Sequence, residues 1–432
     1  MVPNHITDSV IVYEPVMTMQ HCSSLFVFLV AILSLFVGAN PMEAQEQQPI
    51  REIKLPGHPF CAVVSTDQQW IFVSLSDGQG GSQGIAVLQN KAGKVELLRV
   101  IPMPRSPSGL VLTHDEDMLI AAADDYVVFF YTQRLETGGS DAAFQWVRRG
   151  AKAGCVYVNV TADDKTLFVS DEFVKTISVI DLGRIRGLGR DSAKNLKRID
   201  DYTNGSSLAV IGRIPVGNSP VALTFSKDER WLFSTSEVAP AEWNWPRTLQ
   251  REGSKKGEAR KVSEGAVVVI DVAKARIDPQ HSIVARVPAG GSPVRAALSP
   301  DGTRLFVTAR NSDAVLMFNT AELIKNGDHA MPIKVPVGKS PVPVIGVDGG
   351  KFVLVGNSNR YGANAASSST LTVLDTSRIG TNLDPVVGHI PCGAFPRNFC
   401  LASDGRTLFL TNYRSDSLQI IDTSRISELL QK

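Results

Sequence analysis

Short apolar runs separated by Gly, Pro and Asp recur along this chain from about residue 50 to its end. The clearest copy covers residues 286–320 and reads RVPAGGSPVRAALSPDGTRLFVTARNSDAVLMFNT. Related copies start near Ile53, Val100, Arg148, Arg213, Ile333 and His389. A repeat of roughly 40–50 residues with several such runs is typical of a four-stranded blade and not of a helical solenoid. The seven copies therefore predict an all-β fold, a seven-bladed β-propeller over residues 50–432.

A proline near the start of each copy sets the register of the repeat. In five copies an Asp follows this proline eight residues later: Pro59/Asp67, Pro107/Asp115, Pro220/Asp228, Pro293/Asp301 and Pro396/Asp404. In the other two, Pro341 is followed by Asp348 one residue early, and Cys155 stands in the place of the proline before Asp163. The Asp begins a tight turn, and the apolar run after it is the second strand of a hairpin.

The two ends of the repeat region predict how the ring closes. The chain finishes on a third strand, residues 418–421, so the last blade has no outer strand of its own. Residues 51–55 form an unmatched outer-type strand at the other end. We expect these two strands to pair, because closing the ring hides two sheet edges that would otherwise promote association.

The N-terminus is typical of an export signal. Residues 25–39, LFVFLVAILSLFVGA, have the length of a signal-peptide apolar region and are short for a membrane span. Residues 1–39 are therefore predicted as a signal peptide cleaved after Ala39, with Ala44 as the second choice, and residues 40–49 as a linker. The protein is then secreted or periplasmic. An uncleaved N-terminal anchor and a cytosolic protein are the alternatives, since no Lys or Arg precedes the run and the start is open among Met1, Met17 and Met19.

Composition narrows the partners and the chemistry. The formal charge is +1, and +3 without residues 1–39, so a nucleic-acid partner is not expected. The sequence has no Cys-x-x-Cys-His motif and no His spacing typical of metal ligands, so no metal or cofactor is expected. The even number of cysteines in the exported chain permits disulfides, but free buried thiols are the favoured interpretation: Cys61, Cys155, Cys392 and Cys400.

The repeats resemble the YVTN-type β-propeller repeats, which are related to the WD-repeat and lactonase-like propellers. The Tyr-Val-Thr-Asn strand of that family corresponds to Phe306-Val307-Thr308-Ala309, Phe168-Val169-Ser170-Asp171 and Phe409-Leu410-Thr411-Asn412. The resemblance covers nearly everything after residue 50 and implies the propeller fold. It implies no single activity, because such propellers include lactonases, haem-bearing domains of nitrite reductase type and binding proteins.

Propeller geometry predicts where a site would lie. The loops that enter the first strands and the loops that join second to third strands lie on one face, at the mouth of the central channel. Ligand-binding candidates on this face are His58, Arg105, Arg295, Arg310, Arg397, Tyr413 and Arg414. Arg295 and Arg397 differ most from the other blades, which carry small apolar residues such as Ala222 and Val342 at comparable places.

Three insertions interrupt the repeats at residues 182–207, 237–264 and 356–370. The second and third join second to third strands, so both are expected over the mouth, whereas the first belongs to the opposite face. The second carries Trp243 and Trp245 beside several basic residues. These rings suit stacking on a sugar or gripping an anionic partner, or they simply dock the insertion on the rim.

These features favour an exported, monomeric binding protein whose ligand is a small anionic molecule, a glycan or a protein at the channel mouth. No nucleic-acid partner and no stable membrane insertion after signal cleavage are expected. The first alternative is a lactonase-like hydrolase of a sugar or cyclic ester lactone. That reaction needs a general base and a cation for the oxyanion, and the candidates are Glu172 or Glu237 and Arg295 or Arg397. The second alternative is a structural cell-surface protein.

Overall fold

The computed structural model describes residues 48–76, 81–138, 142–149, 152–191, 209–252, 259–361 and 369–431. Within these ranges the chain forms seven antiparallel sheets. The innermost strand of each sheet contacts that of the next, and the last contacts the first, so the sheets close into a ring. The predicted all-β, seven-bladed propeller is confirmed. The predicted signal peptide and all but residues 48 and 49 of the linker lie outside the described residues.

The first four blades follow one another along the chain, each from its inner to its outer strand. Blade 1 comprises β2 His58–Val64, β3 Trp70–Ser76, β4 Gly84–Lys91 and β5 Lys94–Pro102. Blade 2 comprises β6 Pro107–Leu112, β7 Met118–Ala123, β8 Tyr126–Tyr131 and β9 Ala143–Arg148. Blade 3 comprises β10 Cys155–Val160, β11 Thr166–Asp171, β12 Thr176–Asp181 and β13 Val210–Pro215. Blade 4 comprises β14 Asn218–Phe225, β15 Trp231–Val238, β17 Ala259–Asp271 and β18 Ile283–Gly291, with β16 Thr248–Glu252 paired to β17.

The remaining three blades have four strands each. Blade 5 comprises β19 Pro293–Leu298, β20 Arg304–Ala309, β21 Ala314–Asn319 and β22 Ile333–Pro336. Blade 6 comprises β23 Pro341–Val347, β24 Phe352–Asn357, β25 Ser369–Asp375 and β26 Val386–Cys392. Blade 7 comprises β27 Pro396–Leu401, β28 Thr407–Asn412, β29 Ser417–Asp422 and, as its outer strand, β1 Ile50–Lys54.

The closure of the ring is the one that the sequence predicts. β1 pairs antiparallel with β29, from Ile50 opposite Ile421 to Lys54 opposite Ser417. The next residue, Leu55, is buried and donates its backbone N–H to the carbonyl of Asp416. The two ends of the repeat region therefore meet in one sheet.

Short helices follow the third strands on the side away from the mouth. They are α1 Thr132–Thr137, α2 Leu182–Asp191, α3 Val272–Ala275, α4 Thr320–Lys325 and α5 Ile426–Leu429. Side chains at the ends of third strands cap three of them, because Asp181, Asp271 and Asn319 accept backbone N–H groups of the first helical turn. The helix α2 is the described part of the insertion at residues 182–207.

The core lies between neighbouring blades. Each blade packs against a neighbour on both faces, so most positions of its central strands are buried and show no alternation with exposed positions. The Phe of the second strand is fully buried in five blades: Phe72, Phe168, Phe233, Phe306 and Phe409. This is the residue that begins the Phe-Val-Thr-Ala type of run in the repeat. This Phe occupies the same position in the second strand of five blades, which explains why the register of the repeat could be predicted from the sequence.

The insertion at residues 237–264 is more ordered than a loop. Strand β15 continues to Val238, a 3-10 turn covers Ala241–Trp243, and β16 pairs with the beginning of β17. The pairing of β16 with β17 inside this insertion was not predicted from the sequence. An extended hairpin gives the exposed backbone N–H and C=O groups hydrogen-bond partners that a loop of this length lacks. In the insertion at residues 356–370, β24 ends at Asn357, β25 starts at Ser369, and residues 362–368 lie outside the described part.

Candidate functional site

A cavity of about 410 Å³ opens at the mouth of the ring. Its walls come from the loops that enter first strands and from the loops that join second to third strands, the face on which the sequence analysis looks for a site. A volume in the lower part of the usual range of about 300–1,000 Å³ suits a small molecule. The lining residues are Phe60, Ser76, Ser106, Pro107, Ser108, Asp124, Gly154, Cys155, Val156, Glu172, Phe173, Arg360, Phe395, Arg397, Tyr413 and Arg414.

Arg397 is the central cation of this cavity. It stands at the start of β27, and its guanidinium carbon lies 4.3 Å from the ring centroid of Phe60 and 5.7 Å from that of Phe395. Its Nε is buried without a partner, and the side chain makes no hydrogen bond or ion pair with any residue that the structure describes. Burial and the nearby Arg360 lower the pKa of Arg397 to about 10, so the guanidinium stays charged at neutral pH.

Two further arginines extend the basic wall. Arg360, from the loop after β24, lies 5.6 Å from the Phe395 ring, and Arg414, from the loop after β28, lies 5.1 Å from the same ring. Tyr413 packs against Phe395 with ring centroids 5.7 Å apart. Cation–π attraction to aromatic faces stabilises these guanidinium groups, and this attraction does not use their N–H groups. The wall formed by blades 6 and 7 therefore presents positive charge on an aromatic support.

Arg295 lies with Tyr157 and Phe60 across the channel and does not line the cavity. Its guanidinium carbon is 3.8 Å from the Tyr157 ring, and it donates a hydrogen bond to the Tyr157 hydroxyl. The Tyr157 ring in turn lies 5.7 Å from Phe60. Gly109 makes room for this arrangement, because a Cβ there would come within 2.7 Å of the Tyr157 Cα. We call these residues, Arg295, Tyr157, Phe60 and Arg397, the channel stack.

The opposite wall, from blades 2 and 3, carries carboxylates. Asp124 lies in the turn between β7 and β8, and Glu172 follows β11. Burial and the nearby negative charge of Glu237 raise the pKa of Glu172, although Ser219 hydrogen-bonds to it and Arg397 and Arg310 oppose the shift. Beside Glu172 the ring of Phe173 is 66% exposed and lies against Gly154.

Glu237 and Arg310 form an ion pair at the edge of the mouth. The Arg310 Nη2 lies 2.5 Å from the Glu237 Oε2, and both side chains are largely withdrawn from solvent. The pair joins blade 4 to blade 5, and the two side chains neutralise each other. Of the two carboxylates that the sequence offers as a general base, Glu172 is therefore the one that lines the cavity and has no arginine in direct contact among the described residues.

Cys155 lines the cavity but belongs to a buried polar network beneath it. Its thiol donates to Asp171, which also accepts from the Ser178 hydroxyl, and Arg149 donates to Ser178. Burial raises the pKa of both Cys155 and Asp171. The Cys155 thiol therefore stays protonated at neutral pH and is a poor nucleophile.

Besides Arg295 and Arg310, two further predicted ligand-binding residues on the same face, His58 and Arg105, lie outside the cavity lining. His58 pairs with Asp416 through its Nδ1, and its ring lies 4.8 Å from the Tyr413 ring, so it braces the basic wall from behind. Arg105 is exposed, with its guanidinium 5.8 Å from the Tyr126 ring.

The two tryptophans of the insertion pack on the body of the propeller. Trp243 and Trp245 contact each other with ring centroids 5.8 Å apart, and both lie against the core between blades 3 and 4. Arg286 of β18 lies 5.2 Å from the Trp243 ring. Both rings are half-buried and neither lines the 410 Å³ cavity. Their direct role as a ligand platform stays a prediction.

Several lining residues were missed by the sequence analysis. Phe60 and Phe395 are next to the anchoring prolines Pro59 and Pro396 in the sequence. Because these prolines stand at the starts of first strands, near the mouth, their neighbours could have been predicted as lining residues. Arg360 lies in the insertion at residues 356–370, and the repeat pattern does not predict the positions of side chains in an insertion.

The described residues contain no group of three His, Cys, Asp or Glu side chains placed to hold a metal ion. None of the helices in the described ranges has the length and apolar character needed to cross a membrane.

No known family model matches this chain, and no curated protein does. Among solved structures, the chain is similar to one described as Kuenenia stuttgartiensis hydrazine synthase. The TM-score is 0.60 at 18% sequence identity, covering 88% of this chain and 99% of that one. At this identity the likeness supports the propeller fold alone. Membership of the YVTN-type repeat family stays a prediction.

Proposed function

We propose that this protein binds a small molecule with an anionic group in the mouth cavity, and that Arg397 is the main contact. The observation that carries the proposal is the isolation of this guanidinium, which has aromatic faces around it and no acceptor among the described residues. The side chain is half-buried, and its Nε is withdrawn from water without a hydrogen-bond partner, which is costly. An anionic ligand would complete its coordination, with each charge-assisted hydrogen bond worth about 1.5–3 kcal/mol.

The size and position of the cavity support a small ligand over a glycan chain or a protein. The cavity is a pocket of about 410 Å³ with basic, seryl and acidic walls, all within the ring. A protein partner would instead need an interface of about 800 Å² per side. The proposal takes the chain to be exported and monomeric, as residues 1–39 and the closed ring suggest.

A hydrolase of lactones is the second candidate, and one observation favours it. Glu172 and Arg397 line the same cavity, and the environment of Glu172 raises its pKa toward the range useful for a general base. Glu172 would activate water and Arg397 would stabilise the oxyanion. A purely structural role needs no charged cavity and is less well supported.

The test is a calorimetric comparison of full-length wild type with Arg397→Gln. The probes are gluconate, galacturonate and alanylalanine, with neutral δ-gluconolactone and cellobiose for comparison. We expect at least one anionic probe to bind wild type and to bind the variant at least tenfold more weakly. Arg230→Gln is the matched control, because this exposed Arg also stacks on an aromatic ring, Trp231, but outside the cavity. Equal binding of all anionic probes by wild type and Arg397→Gln, or no binding at all, contradicts the proposal.

A further inference from the structure

The mouth cavity is polarised from one side to the other. Its positive charges come from blades 6 and 7, and its negative charges, Asp124 and Glu172, come from blades 2 and 3. In a ring of seven blades these walls are two to three blades apart and so nearly face each other. Hydroxyl side chains of blades 1 and 2 lie between them: Ser76, Ser106 and Ser108.

Among the described residues, no ion pair joins Arg397 to the two carboxylates of the acidic wall, although Arg397 is close enough to act on the pKa of Glu172. The Nε of Arg397 has no partner among the described residues, and Asp124, which lines the cavity, is exposed. Glu172 contacts the neutral Ser219 hydroxyl and faces the like charge of Glu237. An anion alone would satisfy the basic wall and leave the acidic wall uncompensated.

The acidic wall also has the surroundings that an ammonium group prefers. Phe173 follows Glu172 directly and presents an exposed ring at the cavity. A carboxylate beside an aromatic face is a common setting for amine recognition, since both attract the cation. Phe60, Phe395 and Tyr413 line the cavity beside the arginines of the basic wall. Their rings provide an apolar surface for the ligand atoms that lie between its two charges.

From this polarity we infer that the ligand is a short linear zwitterion, of the class of a small peptide with free ends. Its carboxylate contacts Arg397 and Arg360, its ammonium group contacts Glu172 and Asp124, and its backbone lies along the serines. The charges of the ligand are at opposite ends because the two walls are separated by blade 1 and the seryl side chains. This inference rests on the proposed function and adds the second, cationic recognition element.

The test compares alanylalanine with two derivatives that each lose one charge, the N-acetyl dipeptide and the dipeptide amide. Binding to the full-length protein is measured by calorimetry. For wild type we expect each derivative to bind at least tenfold more weakly than the parent. In Glu172→Gln the penalty for N-acetylation should fall to less than threefold, whereas the penalty for amidation should persist. Arg397→Gln should show the reverse.

The outcomes separate the two proposals. If the N-acetyl dipeptide or another anionic probe binds wild type as tightly as the parent, the zwitterion inference is wrong and anion binding stands. If the amide binds as tightly as the parent, the role of Arg397 as anion contact is wrong as well. No measurable binding of the parent dipeptide overturns the inference irrespective of the variants. The derivative series on wild type keeps the test valid if a variant fails to fold, and thermal melting of each variant checks this.

Discussion

The guanidinium carbon of Arg397 lies 4.3 Å from the ring centroid of Phe60, so a residue of the last blade stacks on a residue of the first. The contact spans the seam at which β1 closes the ring. It also begins the channel stack, which continues through Tyr157 to Arg295. The channel stack thus holds the charge of Arg397 at the mouth and links blade 7 to blade 5 through blades 1 and 3.

The isolation of Arg397 predicts an unusual effect on stability. Arg397→Gln removes a half-buried charge whose Nε has no partner among the described residues, so we expect the melting temperature to stay the same or to rise. Arg310→Gln removes one member of an ion pair and leaves Glu237 uncompensated, so we expect a loss on the order of 3 kcal/mol. Thermal and denaturant melts of both variants check this. A large loss in Arg397→Gln would mean that this residue serves the fold.

The closure predicts a second effect. Deleting residues 51–55 removes most of β1 and exposes the edge of β29. Because half-buried Ile53 and buried Leu55 are lost together with the strand pairing, we expect destabilisation of more than about 3 kcal/mol and association through the free edge. Melting and size-exclusion chromatography provide the measurement. A monomeric truncated protein with unchanged melting would show that β1 is dispensable.

The blades of this fold can be predicted from the sequence for a physical reason. The places of Pro293, Asp301 and Phe306 in one copy identify the equivalent residues in the other copies. This works because each blade packs between two neighbours and uses the same residue types at the same places. The closure by β1 followed from counting strands. These features are local or repeated, and such features are visible in a single chain.

The cavity could be predicted only in part. The correct face followed from blade geometry, but the stacking of Arg397 on Phe60 joins residues that are 337 positions apart in the chain and depends on side-chain direction. Similarly, Arg295 was expected at the mouth and instead lies on Tyr157. The pairing of β16 with β17 in the insertion at residues 237–264 could not be predicted, because the charged residues there mask the strand pattern.

The hairpin turns on the face away from the mouth predict a dependence on acid. Hydrogen bonds from Ser299 and Thr303 lower the pKa of Asp301 to about 2, and a hydrogen bond from Ser226 lowers the pKa of Asp228. A carboxyl with a lowered folded-state pKa stabilises the fold above its unfolded pKa of about 4, and this contribution is lost as the pH falls toward 2. We expect stability to fall over this range. The decline should be shallower in Asp301→Asn, measured by urea melts at each pH. Parallel curves for wild type and variant would contradict this.

The cysteines predict insensitivity to redox conditions. The four described cysteines are free. Burial raises the pKa of Cys61 to about 11 and that of Cys400 to about 12. We expect a reducing agent to change the free energy of unfolding by far less than the ~2–4 kcal/mol of a structural disulfide. A thiol reagent should label the buried Cys61, Cys155 and Cys392 much faster after denaturation than before it. Mass spectrometry that found any two of them linked would overturn the prediction.

The pH dependence of lactone hydrolysis separates the two candidate functions. A general base acts only when deprotonated, so a hydrolase that uses Glu172 should gain activity as the pH rises through the pKa of this residue. Burial and Glu237 place that pKa above the ordinary Glu value of 4.5. Initial rates of acid release from δ-gluconolactone, corrected for the spontaneous reaction, give the profile.

For a hydrolase we expect the ascending limb to disappear in Glu172→Gln and the rate to fall at least a hundredfold, the usual contribution of one acid–base group. Arg397→Gln should lower the rate at all pH values, because the oxyanion loses its cation without a change in the base. Arg230→Gln should leave the profile unchanged, since this side chain lies outside the cavity. If wild type releases no acid above the spontaneous rate while anionic probes still bind in an Arg397-dependent way, the cavity binds its ligand without hydrolysing δ-gluconolactone.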